Sequence, residues 1–412
     1  MYGSGSRLCM DMLKYLVSYF VSLNLPASSV SYDPVSIPLA LYIHMPWCVR
    51  KCPYCDFNSH AVPDGSLSTE LEQTYLQALV EDFKTQLAFI QGRSIRSVFI
   101  GGGTPSLISA QGYDGLFTAL KALAVFAEDA EITLEVNPGT VEHEPFQAYL
   151  QAGINRVSIG VQSFNTAQLH ALGRIHSADN AMRAIANAAK AGFERINVDL
   201  MHGLPQQNVE QALYDLQSAV ESGATHISWY QLTIEPNTVF FRTQPQLPDE
   251  EMLYEIQQQG EAYLRAQGFI NYEVSAWRKE KPSQHNVNYW QFGDYLAIGA
   301  GAHGKVSLAD GVYRYQKTRL PKDYLAKVPA ANLQFQAIEK DDMPFEFMMN
   351  ALRLIEGVPA DFYVARTGQA LSQLDADLQP LREKGLLKDD PDILCCTAKG
   401  QQYLNSVLES FL

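Results

Sequence analysis

Six short runs rich in β-formers punctuate the first 231 residues: Leu39–His44, Ser97–Ile100, Ile132–Val136, Arg156–Val161, Arg195–Leu200 and His226–Gln231. Helical patterns separate them. In the first, Tyr75, Leu79, Phe83 and Leu87 recur at four-residue spacing and make one apolar face. Several of the short runs are almost continuously hydrophobic, as parallel strands covered on both faces must be. Strand then helix, repeated in this way, leaves a doubly wound sheet or a full or partial (β/α) barrel.

Polar and glycine-rich residues follow the strand ends: cysteines after the first, "GGGTPS" after the second, "NPGT" after the third, "QSF" after the fourth and "HGLPQQ" after the fifth. Barrels assemble their sites from loops of many strands at this rim. Doubly wound sheets use one switch point. The distribution therefore favours a barrel, spanning residues 37–248. Beyond Asp249 the pattern changes. Residues 249–340 read as an aromatic-rich continuation and linker, and 341–412 as helix, helix, short hairpin and helix, a winged-helix-like α+β module with "DDPD" (Asp389–Asp392) as its turn. We expect that module to cover the barrel mouth or to meet a protein partner.

Thirty-one basic against 45 acidic residues give a net charge of −14, which offers no electrostatic footprint for nucleic acid. No stretch reaches the roughly 18 apolar residues of a membrane span. Six cysteines (Cys9, Cys48, Cys52, Cys55, Cys395 and Cys396) are too few for a disulfide framework in 412 residues. They fit a reducing, cytoplasmic setting and a ligand role for the central three. Residues 1–36 read as an N-terminal extension, disordered or an over-extended start. Their apolar stretch is broken by Asp11 and lacks a clean cleavage site.

Cys48, Cys52 and Cys55 lie in one loop after the first strand, so their thiolates can converge at little entropic cost. A structural zinc ion would need a fourth ligand, from His44, Asp56 or His60. A [4Fe–4S] cluster with three protein ligands keeps one iron open to a small chelating molecule. Spacing leaves both readings standing. In "GGGTPS", glycines let backbone approach a ligand closely. Glu135 and Asp199, acids inside apolar runs, need partners such as ribose hydroxyls.

The motif C-x-x-x-C-x-x-C, with Tyr54 before its last cysteine, resembles that of the radical S-adenosylmethionine enzymes. In that family the open iron is chelated by S-adenosylmethionine, and electron transfer from the cluster cleaves it to a 5′-deoxyadenosyl radical. "YIHMPWC", "GGGTPS", "EVNPGT", "RVSIGVQSF", "GRIHS", "DLMHGLP" and "HNVNYW" are similar to segments of one subfamily, the oxygen-independent coproporphyrinogen III oxidases and the related haem chaperones. This resemblance implies a partial (β/α)6 barrel, a [4Fe–4S] cluster on Cys48, Cys52 and Cys55, and S-adenosylmethionine contacts at Tyr42, Tyr54, Gly102, Gly103, Thr104, Glu135, Gln162, Arg174 and Asp199.

The oxidase pattern carries a further cysteine two residues past the third ligand, where this chain has Phe57. "HNVNYW" matches a motif of the chaperone branch, which implies haem contact at His285, Tyr289 and Trp290. His226 and His303 are further free histidines. An aromatic Phe57 would keep the pocket apolar. The resemblance thus implies a chaperone that binds haem as cargo, passes it to acceptor haemoproteins and depends on an electron donor. The alternatives are a coproporphyrinogen oxidase and a radical methyltransferase.

Overall fold

The computed structural model describes residues 32–62, 65–140, 145–327 and 333–412, so the first 31 residues, with Cys9, lie outside the described residues. Each of the six runs forms a strand: β1 Leu39–Met45, β2 Ile95–Gly102, β3 Phe126–Val136, β4 Arg156–Gln162, β5 Arg195–His202 and β6 His226–Gln231. They lie side by side in chain order, and every neighbouring pair is parallel. Helices pack on one face. Among them are α1 Thr69–Lys84, capped by Ser68, α2 Ala110–Lys121, capped by Ser109, and α3 Ala178–Ala191 and α4 Val209–Glu221, each opened by a capping box. Leu39, Leu41, Ile43, Val98 and Ile100 are fully buried beneath this layer. Such two-sided burial explains why the strands read as continuous apolar runs.

The aromatic-rich region extends the same sheet at both ends. Strand β7, Ile270–Glu273, pairs antiparallel with β8, Ala276–Arg278, which in turn adds antiparallel to β6. The chain then crosses beneath the strands through helix α5, Gln284–Trp290, and inserts β9, Asp294–Ile298, parallel to β1. Strands β10 His303–Leu308, β11 Gly311–Gln316 and β12 Gln334–Ala337 complete a twelve-stranded order, β12-β11-β10-β9-β1-β2-β3-β4-β5-β6-β8-β7. This is the partial barrel of the sequence analysis, widened by a flank on either side.

The C-terminal module has its own core, around Phe347, Tyr363, Leu378 and Leu394. Val358–Pro359 pairs antiparallel with Ile393–Leu394, and Leu387 bridges Cys396 to form the hairpin whose tip is Asp389–Asp392. The module holds both flanks of the sheet. On the β7 side Arg353 pairs with Glu273 at 3.1 Å, and the Ile355 amide donates to the Tyr272 carbonyl. On the other side Arg314 pairs with Glu346, and the Ile338 amide donates to the Val312 carbonyl. Through these contacts the module touches both flanks of the sheet.

Candidate functional site at the strand C-termini

β1 ends at Met45, and Trp47–Cys48 pairs with His60–Ala61, which closes the cysteine-bearing loop at its base. The loop is stitched to the glycine segment: Gly103 donates to the Met45 carbonyl at 2.7 Å and Thr104 to the Trp47 carbonyl at 2.6 Å. A side chain at Gly103 would sit 2.4 Å from the Trp47 carbonyl oxygen, a backbone atom that cannot yield. The amides of Gly102 (to Glu135), Gly103 and Thr104 are thus all committed within the protein. Carbonyl oxygens are what this loop can offer a ligand, which suits a donor-only ammonium group. We expect Gly103→Ala to cost about 2 kcal/mol by forced overpacking and to lower the iron content per chain, read by denaturant midpoint and iron analysis. Wild-type stability in that variant would contradict this account.

All three thiols are free of disulfides. Burial pushes the Cys48 and Cys55 thiols up, and the neighbouring cysteines push them further. Ser59 lies 3.7 Å from the Cys55 sulfur, and the Arg174 guanidinium donates to the Cys52 sulfur at 3.7 Å and to the Gly160 carbonyl at 2.5 Å. The Nε of Arg174 is buried without a hydrogen-bond partner among the described residues. The orphaned donor capacity of Arg174 beside these sulfurs fits an anionic sulfur-ligated cluster with a ligand on it.

Of the three candidate fourth ligands for zinc, His44 is engaged within the protein. The His44 Nε2 meets the Asn58 carbonyl at 2.9 Å, an atom that only accepts, so Nε2 carries the proton and Nδ1 accepts from the Tyr42 hydroxyl at 2.9 Å. Burial pushes His44 down to about 4, so the ring is neutral and both its nitrogens are engaged. His60 Nε2 faces the Asn58 side-chain oxygen at 3.2 Å, and Asp56 is exposed. Among the described residues no three His, Cys, Asp or Glu side chains converge to hold a single ion.

The remaining sequence-derived residues surround the concave face above this loop. Glu135, at the end of β3, accepts from the Gly102 amide at 3.2 Å, and burial with the nearby Asp199 pushes it up to about 8. Asp199 accepts from Ser158 at 2.9 Å and Asn197 at 2.7 Å, and burial raises it too. Gln162 adopts a left-handed φ of 69°. Its strained turn is held by Asp215 of α4, which accepts from the Ser163 hydroxyl at 2.8 Å and the Phe164 amide at 2.6 Å. Tyr54 packs its ring against Phe240, whose amide bonds the Pro53 carbonyl. Sequence reasoning missed Tyr230, which donates to Gln162 Oε1 at 2.8 Å, and also Asn58 and Phe99. Tyr230 could have been found as the polar end of the sixth strand. Asn58 and Phe99 carry no signal in the sequence pattern.

The three expected haem contacts share helix α5, with Tyr289 in ring contact with both His285 and Trp290. His285 lies beneath the interior with 4% exposure, stacked on Phe99 at 4.8 Å, and burial with Arg156 pushes it down to about 3. Tyr289, one turn later, meets His285 and Tyr295 at 4.6 and 4.2 Å. Trp290 turns towards the C-terminal module, under the Arg353 guanidinium at 4.3 Å. On a helix, adjacent residues such as Tyr289 and Trp290 do not share a face. Phe57 also departs from expectation. Its ring is 60% exposed on the outer wall of the cysteine loop and does not line the interior.

Comparison with known proteins follows this geometry. Residues 42–219 match the Radical SAM superfamily, and residues 338–403 match the HemN C-terminal domain. Heme chaperone HemW of Escherichia coli is 47% identical over 378 residues, covering 91% of this chain and 98% of that protein. This chain belongs to the HemW family of radical SAM proteins. The Haemophilus influenzae HemW is 46% identical with the same coverage. A mouse mitochondrial relative, radical S-adenosyl methionine domain-containing protein 1, is 41% identical over 93% of this chain and 89% of its own. Among solved structures, the E. coli coproporphyrinogen III oxidase HemN superposes with a TM-score of 0.76 over 96% of this chain and 98% of its own, at 21% identity. That likeness shows the shared fold. No helix among the described residues is long and apolar enough to cross a membrane.

Proposed function

We propose that this HemW-family protein binds haem and hands it to acceptor haemoproteins, with Cys48, Cys52 and Cys55 holding a [4Fe–4S] cluster and S-adenosylmethionine bound beside it. The observation that carries the reading is the 47% identity, across both domains, to a protein named heme chaperone. The coproporphyrinogen oxidase of the same fold stands at 21%. When bound, the cluster and S-adenosylmethionine supply one-electron chemistry. The chain's own residues hold and shield them. Arg174 bridges the cysteine loop and β4, Tyr42 is oriented by His44, and Glu135 and Asp199 present buried acceptors for ribose hydroxyls. The test is anaerobic reconstitution with iron and sulfide counting, then haem titration and transfer to an apo-haemoprotein. Four irons per chain and stoichiometric transfer are expected. Absence of haem binding would end the proposal.

Glu135 gives a pH dependence with a definite sign. With its folded-state value near 8, the carboxyl is protonated at lower pH and cannot accept two ribose hydroxyls. Binding is then linked to proton release, so S-adenosylmethionine affinity should rise several-fold between about pH 6.5 and 8.5. Glu135→Gln should weaken binding and flatten the profile, measured calorimetrically on the reconstituted protein. A flat wild-type profile would refute the assignment.

A further inference from the structure

The buried position of His285 leaves open where a macrocycle can reach an imidazole. The outer wall of the cysteine loop supplies an answer. Asn58 clasps this wall to the ends of β10 and β11: its side-chain nitrogen donates to the Ala300 carbonyl at 2.9 Å and the Arg319 carbonyl at 2.8 Å. Arg319 Nε returns a bond to Asn58 Oδ1 at 3.3 Å. Gly301, at φ 77°, leaves the space that Asn58 fills, since a side chain there would meet its amide at 2.2 Å. On this wall Lys51 bonds the Phe57 carbonyl next to Asn58, and Arg319, followed in the chain by Leu320, lies close enough to His303, the first residue of β10, to act on it electrostatically. Phe57 and Leu320 are 60% and 44% exposed, apolar surface next in sequence to the Asn58–Arg319 pair in a chain of net charge −14.

We infer that this face is the haem-docking site, with His303 as the axial ligand to iron, Arg319 and Lys51 as the partners of the two propionates, and Phe57 and Leu320 as apolar support for the ring. The inference rests on the haem-chaperone reading and deepens it by locating the cargo. Several observations support it. His303 is exposed and makes no hydrogen bond among the described residues, so both ring nitrogens are available. Burial, Arg314 and Arg319 push it below the usual histidine range, which keeps the imidazole neutral and its lone pair free for iron at physiological pH. Lys51 donates to the Phe57 carbonyl at 2.9 Å and to the Ser59 carbonyl at 3.4 Å, and retains one further N–H donor. The guanidinium of Arg319 keeps N–H groups beyond its one bond to Asn58, in the fork geometry that carboxylates fit. Charge complementarity selects an anionic macrocycle over a neutral one.

The test uses the full chain with its cluster reconstituted, titrated anaerobically with iron protoporphyrin IX and read in the Soret region. Wild type should show saturable binding with a spectral shift of imidazole ligation. His303→Ala should lose that shift and bind at least about tenfold more weakly, and Arg319→Glu should weaken binding about tenfold while keeping the shift. The dimethyl ester of the same porphyrin should bind wild type as weakly as the free porphyrin binds Arg319→Glu. Cluster absorption should be unchanged in both variants. If His303→Ala loses its cluster, His303→Gln, which keeps side-chain volume and polarity, takes its place. Wild-type affinity and spectrum in the His303 variant would overturn the inference alone, as would loss of ligation on His285→Ala with the His303 variant unaffected. Failure of wild type to bind any haem would overturn the chaperone reading as well.

Discussion

Protein carrying Cys52→Ala, purified and reconstituted without oxygen, is expected to lack the visible charge-transfer absorption of an iron–sulfur cluster entirely. A Cys395→Ala, Cys396→Ala double variant should keep it. The two groups of thiols differ in how they are grouped and in the charge beside them. Cys52 sits in a loop closed by the short pair at Cys48 and Ala61, beside two other free thiols and under the Arg174 guanidinium, which stabilises anionic sulfur. Cys395 and Cys396 are adjacent in a hairpin, where neighbouring side chains leave on opposite faces. Cys395 donates to the Ile355 carbonyl, and Cys396 is packed in the module core, where burial pushes its thiol up to about 12. Full zinc occupancy in wild type, or survival of the absorption in Cys52→Ala, would contradict the assignment.

Wild-type protein is expected to show no decarboxylation of coproporphyrinogen III under anaerobic, reducing conditions, and Phe57→Cys is expected not to create it. The ring of Phe57 faces solvent, so a thiol placed there would also start from the outer wall. The interior is bounded instead by Tyr42, Phe99 and Glu135, none of which that substitution alters. Product analysis by mass after incubation with S-adenosylmethionine and a reductant decides the matter. Robust conversion by wild type would restore the oxidase reading. Conversion by the Phe57→Cys variant alone would make that one position the determinant of the activity.

The parts of the fold that were legible share one cause. Strands β1 to β6 are buried on both faces and contact their chain neighbours, so a local apolar run marks each of them. The cysteine loop and the glycines after β2 were legible because chemistry and close backbone approach demand particular residue types. What escaped depends on distant pairings. Nothing in "YLAIG" reveals that β9 lies against β1, more than 250 residues away. Asn58 looks like an ordinary loop residue until Ala300 and Arg319 are beside it. "HNVNYW" carried a functional resemblance, yet its local pattern cannot tell that His285 turns under Phe99 while Trp290 turns to another domain. The position of the C-terminal module was illegible for the same reason, since it is fixed by Glu273 and Arg314 on opposite flanks of the sheet.

The Asn58 clasp has a consequence for how the protein is made. Its two side-chain bonds reach residues 242 and 261 positions further along the chain. Ordering a contact of such separation is slow, because loop closure must precede the bond that rewards it. During synthesis the first six strands emerge and can pair while β9, β10 and β11 have yet to be made. Throughout that interval the wall behind Cys48, Cys52 and Cys55 lacks its outer brace, which is completed only when residues 300–319 dock against Asn58.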